Sequence, residues 1–327
     1  MVPPKVLFLW PAIESDRRFI EENIGTSMDF VYPATFDEAA FLPLISDVDA
    51  VIATRMTPTL LAAAKRLRLV QTPSAGIELL PLDHLAERNI AVCNSHSASA
   101  NVAEHALGML LALMKKLALH DRMLRNGKWF RPSGNPRDSF YVSDPLRGRK
   151  VGLLGFGHIG QAFLRFLAGF DVEPLVQVRS PRPFPEFESR FNRFAIRSLH
   201  EVLREAEVLF VSLPLTKDTA GILGPAEFRL MQSATYLVSV SRAGVISEKA
   251  LHAALSEGRM RGAAVDSWHP GSEHLDRFRS FDNVLLSPHR AATSRGHSDS
   301  LVDVVANLKA FASDGDLRNL VKPRAGY

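Results

Sequence analysis

The stretch Lys150 to Gly169 reads KVGLLGFGHIGQAFLRFLAG, and its reading decides the fold. Val151 to Leu154 is a short apolar run of the kind that forms a buried parallel strand. Gly155, Phe156, Gly157, His158, Ile159 and Gly160 then make a G-x-G-x-x-G turn, and Gln161 to Leu167 continues with helical apolar spacing. In such a turn Gly155 permits a tight bend, Gly157 lets a pyrophosphate approach the backbone, and Gly160 lets the helix pack closely on its strand. The unpaired N–H groups of the first helical turn would face the phosphates. A βα turn that binds nothing has the same glycines, so the flanking strand and helix carry the dinucleotide reading.

Outward from this stretch the chain alternates strands and helices. Before it, strands are expected at Lys5–Trp10, Phe30–Tyr32, Ala50–Ala53, Leu69–Gln71 and Ala91–Cys93, with helices around Asp16–Asn23, Asp37–Ile45 and Thr57–Ala64. Ala98–Leu124 reads as one long helix rich in Ala, Leu and Met, and Asn126–Pro145 as a loop. After it, strands are expected at Pro174–Val178, Val208–Ser212, Thr235–Val240, Gly262–Val265 and Val284–Leu286. Helices are expected at Ser198–Arg204, Pro225–Met231, Ser247–Glu257 and Ser298–Ala312. The fold class is α/β, with two doubly wound parallel-sheet domains whose ligands sit at the carboxyl ends of the strands.

Composition narrows the class of protein. With 327 residues, 46% hydrophobic and 23% charged, the chain can bury two ordinary cores. The longest apolar run, Ala106–Met114, is far short of a membrane span, and the N-terminal apolar piece ends at Pro11 too soon for a signal peptide. Cys93 is the only cysteine, which excludes an intrachain disulfide and fits a cytoplasmic protein. A net charge of +4 with interspersed acids reads as solvated faces, so no nucleic-acid partner is expected. No metal site is expected either.

Seven segments together carry a resemblance. They are Ser74-Ala75-Gly76-Ile77-Glu78, Val102-Ala103-Glu104, Leu146-Arg147-Gly148-Arg149-Lys150-Val151-Gly152, Leu213-Pro214-Leu215-Thr216 with Thr219, Ser241-Arg242-Ala243-Gly244, Ala264-Val265-Asp266 and Ser287-Pro288-His289. In order and spacing the chain resembles the D-isomer-specific 2-hydroxyacid dehydrogenase family over nearly its whole length. The resemblance implies a flavodoxin-like substrate domain formed by residues 1–98 and 291–327, with a Rossmann-type nucleotide domain, 99–290, inserted between them. It also implies a homodimer and hydride transfer between a nicotinamide cofactor and C2 of a small 2-oxo or 2-hydroxy acid, of the glyoxylate or hydroxypyruvate reductase type.

The residues in those motifs suit that chemistry. Reducing a 2-oxo acid needs a carboxylate anchor, a carbonyl polariser and a proton donor. Arg242, at the end of an expected strand, carries paired N–H donors that can bridge carboxylate and carbonyl oxygens; alone it would read as a surface ion pair. His289 suits the acid/base role because imidazole titrates near neutral pH. Backbone N–H groups at Ala75 and Gly76 can meet a carboxylate, and Arg55 can add positive charge, though a loop arginine is commonly just solvated. Asp266 could accept from the nicotinamide carboxamide, and Leu213 and Pro214 could pack near the adenosine.

Two departures from the family pattern stand out. The family pairs its histidine with a glutamate five positions beyond the aspartate of Ala264-Val265-Asp266, and here that position is Gly271. Glu273 could take the role, His269 could contribute a hydrogen bond, or the pair could be absent. The last case leaves room for a catalytically weak or inactive NAD(P)H-binding regulatory protein on the same fold. The second departure lies where an acid would receive the ribose hydroxyls of NAD: the chain has Val178, followed by Arg179, Ser180 and Arg182. Two cations and a hydroxyl suit a 2′-phosphate, so NADP(H) is expected over NAD(H), with NAD(H) use still possible.

Overall fold

A computed structural model describes residues 2–128, 142–269, 271, 275–293 and 301–321. The chain divides into two compact units, Met1–Ala98 with Thr293–Tyr327, and Ser99–Ala292.

The first unit is built on five parallel strands: β1 (Lys5–Phe8), β2 (Asp29–Val31), β3 (Ala50–Ile52), β4 (Leu69–Gln71) and β5 (Ala91–Cys93). They lie in the order β2-β1-β3-β4-β5, the flavodoxin-like arrangement. Successive residues of a strand point to opposite faces, and here both faces are covered. Leu7, Val51 and Val70 enter one core, with Leu60 and Leu85, while Val6, Phe8, Ala50, Ile52 and Leu69 enter another, with Ile20 and Leu308. The helix Val302–Ala312 is tied to β4 through the fully buried Asn307, whose Nδ2 donates to Gln71 Oε1 (2.8 Å) and to the Arg318 carbonyl (3.0 Å).

Seven parallel strands form the second unit: β6 (Lys150–Leu154), β7 (Glu173–Gln177), β8 (Ala195–Ile196), β9 (Val208–Val211), β10 (Tyr236–Ser239), β11 (Gly262–Val265) and β12 (Val284–Leu286). Their order is β8-β7-β6-β9-β10-β11-β12, so the chain reverses direction across the sheet between β6 and β9. That reversal is the switch point at which such sheets bind dinucleotides. Val151, Leu153, Val208 and Phe210 face one core, whereas Leu154, Leu209 and Val211 face the other. Phe163, on the helix His158–Phe166 that follows the glycine turn, stacks on Phe210 of β9 with ring centroids 4.0 Å apart. This contact braces that helix over the switch point.

The structure departs from the sequence reading in a few places. The expected long helix is two helices, Ser99–Met114 and Leu117–Arg125, separated at Lys116, whose φ of 55° is left-handed. Apolar spacing continues through the break, so periodicity alone hides it. Asp37–Ile45 shrinks to a helix at Glu38–Phe41. Two short helices, Leu82–Glu87 and Pro185–Arg190, and the two-residue strand β8 were not expected. Most of the expected loop Asn126–Pro145 lies outside the described residues.

Candidate active site

The glycine turn sits at the carboxyl end of β6. Gly155 has φ +92°, and Ser212, just beyond β9, donates from Oγ to its carbonyl (3.1 Å) and from N to the Leu154 carbonyl (3.0 Å). A Cβ on Gly160 would lie 2.3 Å from the Gly155 carbonyl oxygen, so only glycine lets the helix approach this closely. A Cβ on Gly157 would meet nothing within 4 Å. Gly157 is also the N-cap of the helix His158–Phe166 and has no side chain of its own to cap it. Open space beside Gly157, a helix N-terminus and its positive dipole end are what a pyrophosphate needs, so these residues fit a dinucleotide.

Phe156 turns its ring into an aromatic cluster, edge-on to Phe184 (4.8 Å) and Phe187 (4.9 Å). Phe184 in turn lies under the Arg182 guanidinium, 5.2 Å from ring centroid to Cζ. The segment after β7 is thus joined to the glycine turn through edge-to-face and cation–π contacts. Val178 packs against the core, while Arg179, Ser180 and Arg182 are exposed. Beyond β9, Thr219 closes the loop carrying Leu213 and Pro214: its Oγ1 donates to the Pro214 carbonyl (2.6 Å) and accepts from Thr216 N (2.8 Å).

Arg242 leaves the end of β10 in a tight turn, with Val245 N donating to its carbonyl (3.2 Å). The turn is held against the segment following β11, because Ala243 N donates to Ser267 Oγ (3.1 Å) and Asp266 N donates to the Ser239 carbonyl (3.0 Å). Arg242, Ala243, Glu248, Ser267 and Trp268 line a common small cavity.

His289 follows β12 with a left-handed φ of 56°, a conformation that costs a non-glycine residue energy unless its neighbours impose it. Asp266 imposes it. This aspartate is 4% exposed; its carbonyl accepts from His289 N (2.7 Å), and its carboxylate accepts from Arg290 N (2.9 Å), Ala291 N (3.0 Å) and Ser287 Oγ. His105, on the helix Ser99–Met114, adds Nε2 at 3.0 Å from Ser287 Oγ and 3.7 Å from Asp266 Oδ1. A buried carboxylate held by three hydrogen bonds is rigid, and it rigidifies the loop it holds. Asp266 was expected to face the cofactor; its principal visible task is to fix the loop that carries His289.

The candidate partners of the His289 ring resolve unevenly. Gly271 has φ +121° and no side chain to offer. Glu273 lies outside the described residues. His269 is engaged by Glu248, whose Oε1 lies 2.8 Å from His269 Nδ1 and 3.0 Å from its backbone N.

In the first unit, Arg55 follows β3 and is exposed. After β4, Thr72 Oγ1 donates to the Ser74 carbonyl, Ser95 N also reaches that carbonyl (3.0 Å), and Asn94 Nδ2 donates to the Ala75 carbonyl (2.9 Å). Because C=O and the following N–H point oppositely across a trans peptide, this turns the N–H groups of Ala75 and Gly76 away from Ser95 and Asn94.

Sequence reasoning missed Glu248 and assigned nothing to His105 or Phe184. Glu248 reads as an ordinary first-turn acid after the N-cap Ser247, and His105 as one polar residue on an apolar helix. Their partners are remote in sequence, so only the strand order reveals them. Among the described residues, no group of three or more His, Cys, Asp or Glu could hold a metal ion, and no helix is long and apolar enough to cross a membrane.

Comparison with known proteins agrees with this geometry. Residues 107–291 match the model of the D-isomer specific 2-hydroxyacid dehydrogenase NAD binding domain. A glyoxylate reductase of Pyrococcus furiosus is 31% identical, with 94% of this chain and 92% of the relative covered. A glyoxylate reductase of Thermococcus kodakarensis is 32% identical, with 83% and 82% covered. Among solved structures, an NADPH-dependent glyoxylate/hydroxypyruvate reductase of Sinorhizobium meliloti, in complex with NADP and malonate, superposes with a TM-score of 0.82 at 27% identity, covering 98% of this chain and 97% of that one. The chain belongs to the D-isomer-specific 2-hydroxyacid dehydrogenase family and is an NAD(P)-dependent dehydrogenase.

Proposed function

We propose that this protein is an NADP(H)-dependent reductase of a small 2-oxo acid of the glyoxylate or hydroxypyruvate type. The observation that carries the proposal is that Arg242 and a rigidly held His289 stand at the carboxyl ends of β10 and β12, in the sheet whose β6 carries the glycine turn. A bound reduced nicotinamide supplies the hydride. Arg242 holds the substrate carboxylate and polarises the C2 carbonyl through paired N–H donors. His289 delivers a ring N–H proton to the carbonyl oxygen, and takes it back in the oxidative direction. Asp266 keeps His289 in place, and a carboxylate with about four acceptor sites retains capacity for a carboxamide donor beyond its three bonds. In the first unit, Arg55 and the N–H groups of Ala75 and Gly76 are the candidate carboxylate anchors.

The cofactor preference rests on Val178, Arg179, Ser180 and Arg182. Arg182 is held over Phe184 and so is pre-positioned for an anion at modest entropic cost. Gly271 favours a second reading, a cofactor-binding protein with little turnover. One experiment separates the two: the absorbance of reduced nicotinamide is followed with NADPH or NADH and a panel of glyoxylate, hydroxypyruvate and pyruvate. Oxidation of NADPH by a small 2-oxo acid supports the reductase. Tight NADPH binding with no oxidation across the panel supports the second reading.

A further inference from the structure

Among the described residues, two adjacent strand-end segments are stitched together at three points. Asp266 N donates to the Ser239 carbonyl at the base, Ala243 N donates to Ser267 Oγ in the middle, and Glu248 Oε1 accepts from His269 at the far end. Arg242 lies between the first and the last. The outermost stitch is also the most strongly polar. Glu248 begins the helix Glu248–Ser256, its side chain is only 13% exposed, and one oxygen receives both the backbone N–H and Nδ1 of His269. A shielded carboxylate of this kind is costly to leave unpaired, so the pair holds the two segments together. At the other edge of the imidazole, Nε2 lies 3.6 Å from where a Cβ of Gly244 would sit, close to the Arg242 turn. His269 is also two residues before Gly271, where the family's usual glutamate is missing.

We propose that Glu248 and His269 form a positioning pair that holds the Arg242 turn in its substrate-binding arrangement. The inference rests on the reading of Arg242 as the carboxylate anchor. If the pair is released, the turn spends part of its time in arrangements that do not bind substrate. Apparent affinity then falls by the fraction of molecules that are competent, while the rate from the engaged state is unchanged. The signature is therefore a KM effect that outweighs any kcat effect.

The test compares Glu248→Ala, Glu248→Gln, His269→Ala, His269→Gln and the double alanine variant, each checked for folding by thermal melt. Oxamate, an unreactive mimic of a 2-oxo acid, gives a binding readout in the presence of NADPH. Each alanine variant should raise KM for glyoxylate and Kd for oxamate by about tenfold, with kcat within about threefold and NADPH affinity unchanged. The double variant should be no worse than either single one, because the two residues act as a unit. His269→Gln, which can still donate to Glu248, should recover most of the loss. If Glu248→Ala fails to fold, Glu248→Gln, which keeps an acceptor for the His269 backbone, should show a smaller rise in KM. A wild-type KM and oxamate Kd in a folded Glu248 variant would overturn the pair alone. A wild-type protein that neither oxidises NADPH nor binds oxamate would overturn the reading of Arg242 and the pair with it.

Discussion

Gly157 and Gly160 are three residues apart in one turn, yet the structure gives them opposite sensitivities to alanine. At Gly160 a Cβ would lie 2.3 Å from the Gly155 carbonyl oxygen, far inside contact distance, and the obstructing atom is backbone. The helix would have to move away from its strand, an overpacking cost of about 1–3 kcal/mol, against which alanine's better helix propensity returns about 1 kcal/mol. Because the obstructing atom is backbone and cannot give way, the upper end of that cost applies, and Gly160→Ala should destabilise the unit by about 2 kcal/mol, lowering Tm by roughly 4–8 °C for a domain of this size. Gly157 has an ordinary extended φ of −79° and no neighbour within 4 Å of a Cβ. Gly157→Ala should leave Tm of the cofactor-free protein unchanged within about 2 °C, or raise it slightly. Its new methyl would instead occupy the approach to the pyrophosphate, weakening NADPH binding by about tenfold or more, equivalent to about 1.4 kcal/mol. Differential scanning fluorimetry and NADPH fluorescence titration read the two quantities separately. Equal loss of Tm in the two variants, or full NADPH affinity in Gly157→Ala, would refute the argument that the space beside Gly157 is reserved for the cofactor.

Other predictions follow from neighbouring parts of the unit. Arg179→Ala with Arg182→Ala should together reduce kcat/KM for NADPH by roughly a hundredfold or more, since each charge-assisted bond to a phosphate is worth about 1.5–3 kcal/mol, while kcat/KM for NADH stays within about threefold; a NADH efficiency at or above that for NADPH in the wild type would refute the preference. Asp266→Ala should lower both Tm and kcat, the latter by about tenfold or more, because the left-handed backbone of His289 loses its support; steady-state kinetics with wild-type kcat would contradict this. Acid stability should depend on Asp144. Burial pushes its carboxyl up, but hydrogen bonds from Tyr236 (2.6 Å) and Arg261 (3.1 Å), with the charges of Arg261 and Arg149, outweigh that and hold it below the ordinary range. A depressed carboxyl stabilises the fold above its unfolded value, near pH 4, and that stability is lost as pH falls through the folded value. Urea melts from pH 6 to pH 3 should therefore show a flatter acid decline for Asp144→Asn than for the wild type, and parallel declines would remove Asp144 from the account.

The parallel strands were legible because burial on both faces demands short continuous apolar runs, as in Val208–Val211 and Ala50–Ile52. Leu69–Gln71, Ala91–Cys93, Gly262–Val265 and Val284–Leu286 begin and end where the pattern placed them. What escaped had a physical reason in each case. Ala195–Ile196 is too short to display a period, and Lys116 breaks a helix through one backbone angle that its side chain does not announce. The site was legible where chemistry sits in a local motif, as with Gly155–Gly160, and silent where it depends on two strand ends meeting. Glu248 with His269, and Asp266 with His105, are separated by 21 and 161 residues, and only the strand order makes them neighbours. The local pattern shows Gly271 lacking a side chain; the structure adds that this chain secures His289 through its backbone, from Asp266.

The most direct test of the central claim is the steady-state rate of NADPH oxidation with glyoxylate, measured for the wild type and for Arg242→Ala in parallel. The wild type should show clear turnover and the variant a loss of roughly a hundredfold to a thousandfold, the scale expected when a preorganised donor to a developing oxyanion is removed. A wild-type protein with no glyoxylate-dependent oxidation, or an Arg242→Ala variant that retains the full rate, would contradict it.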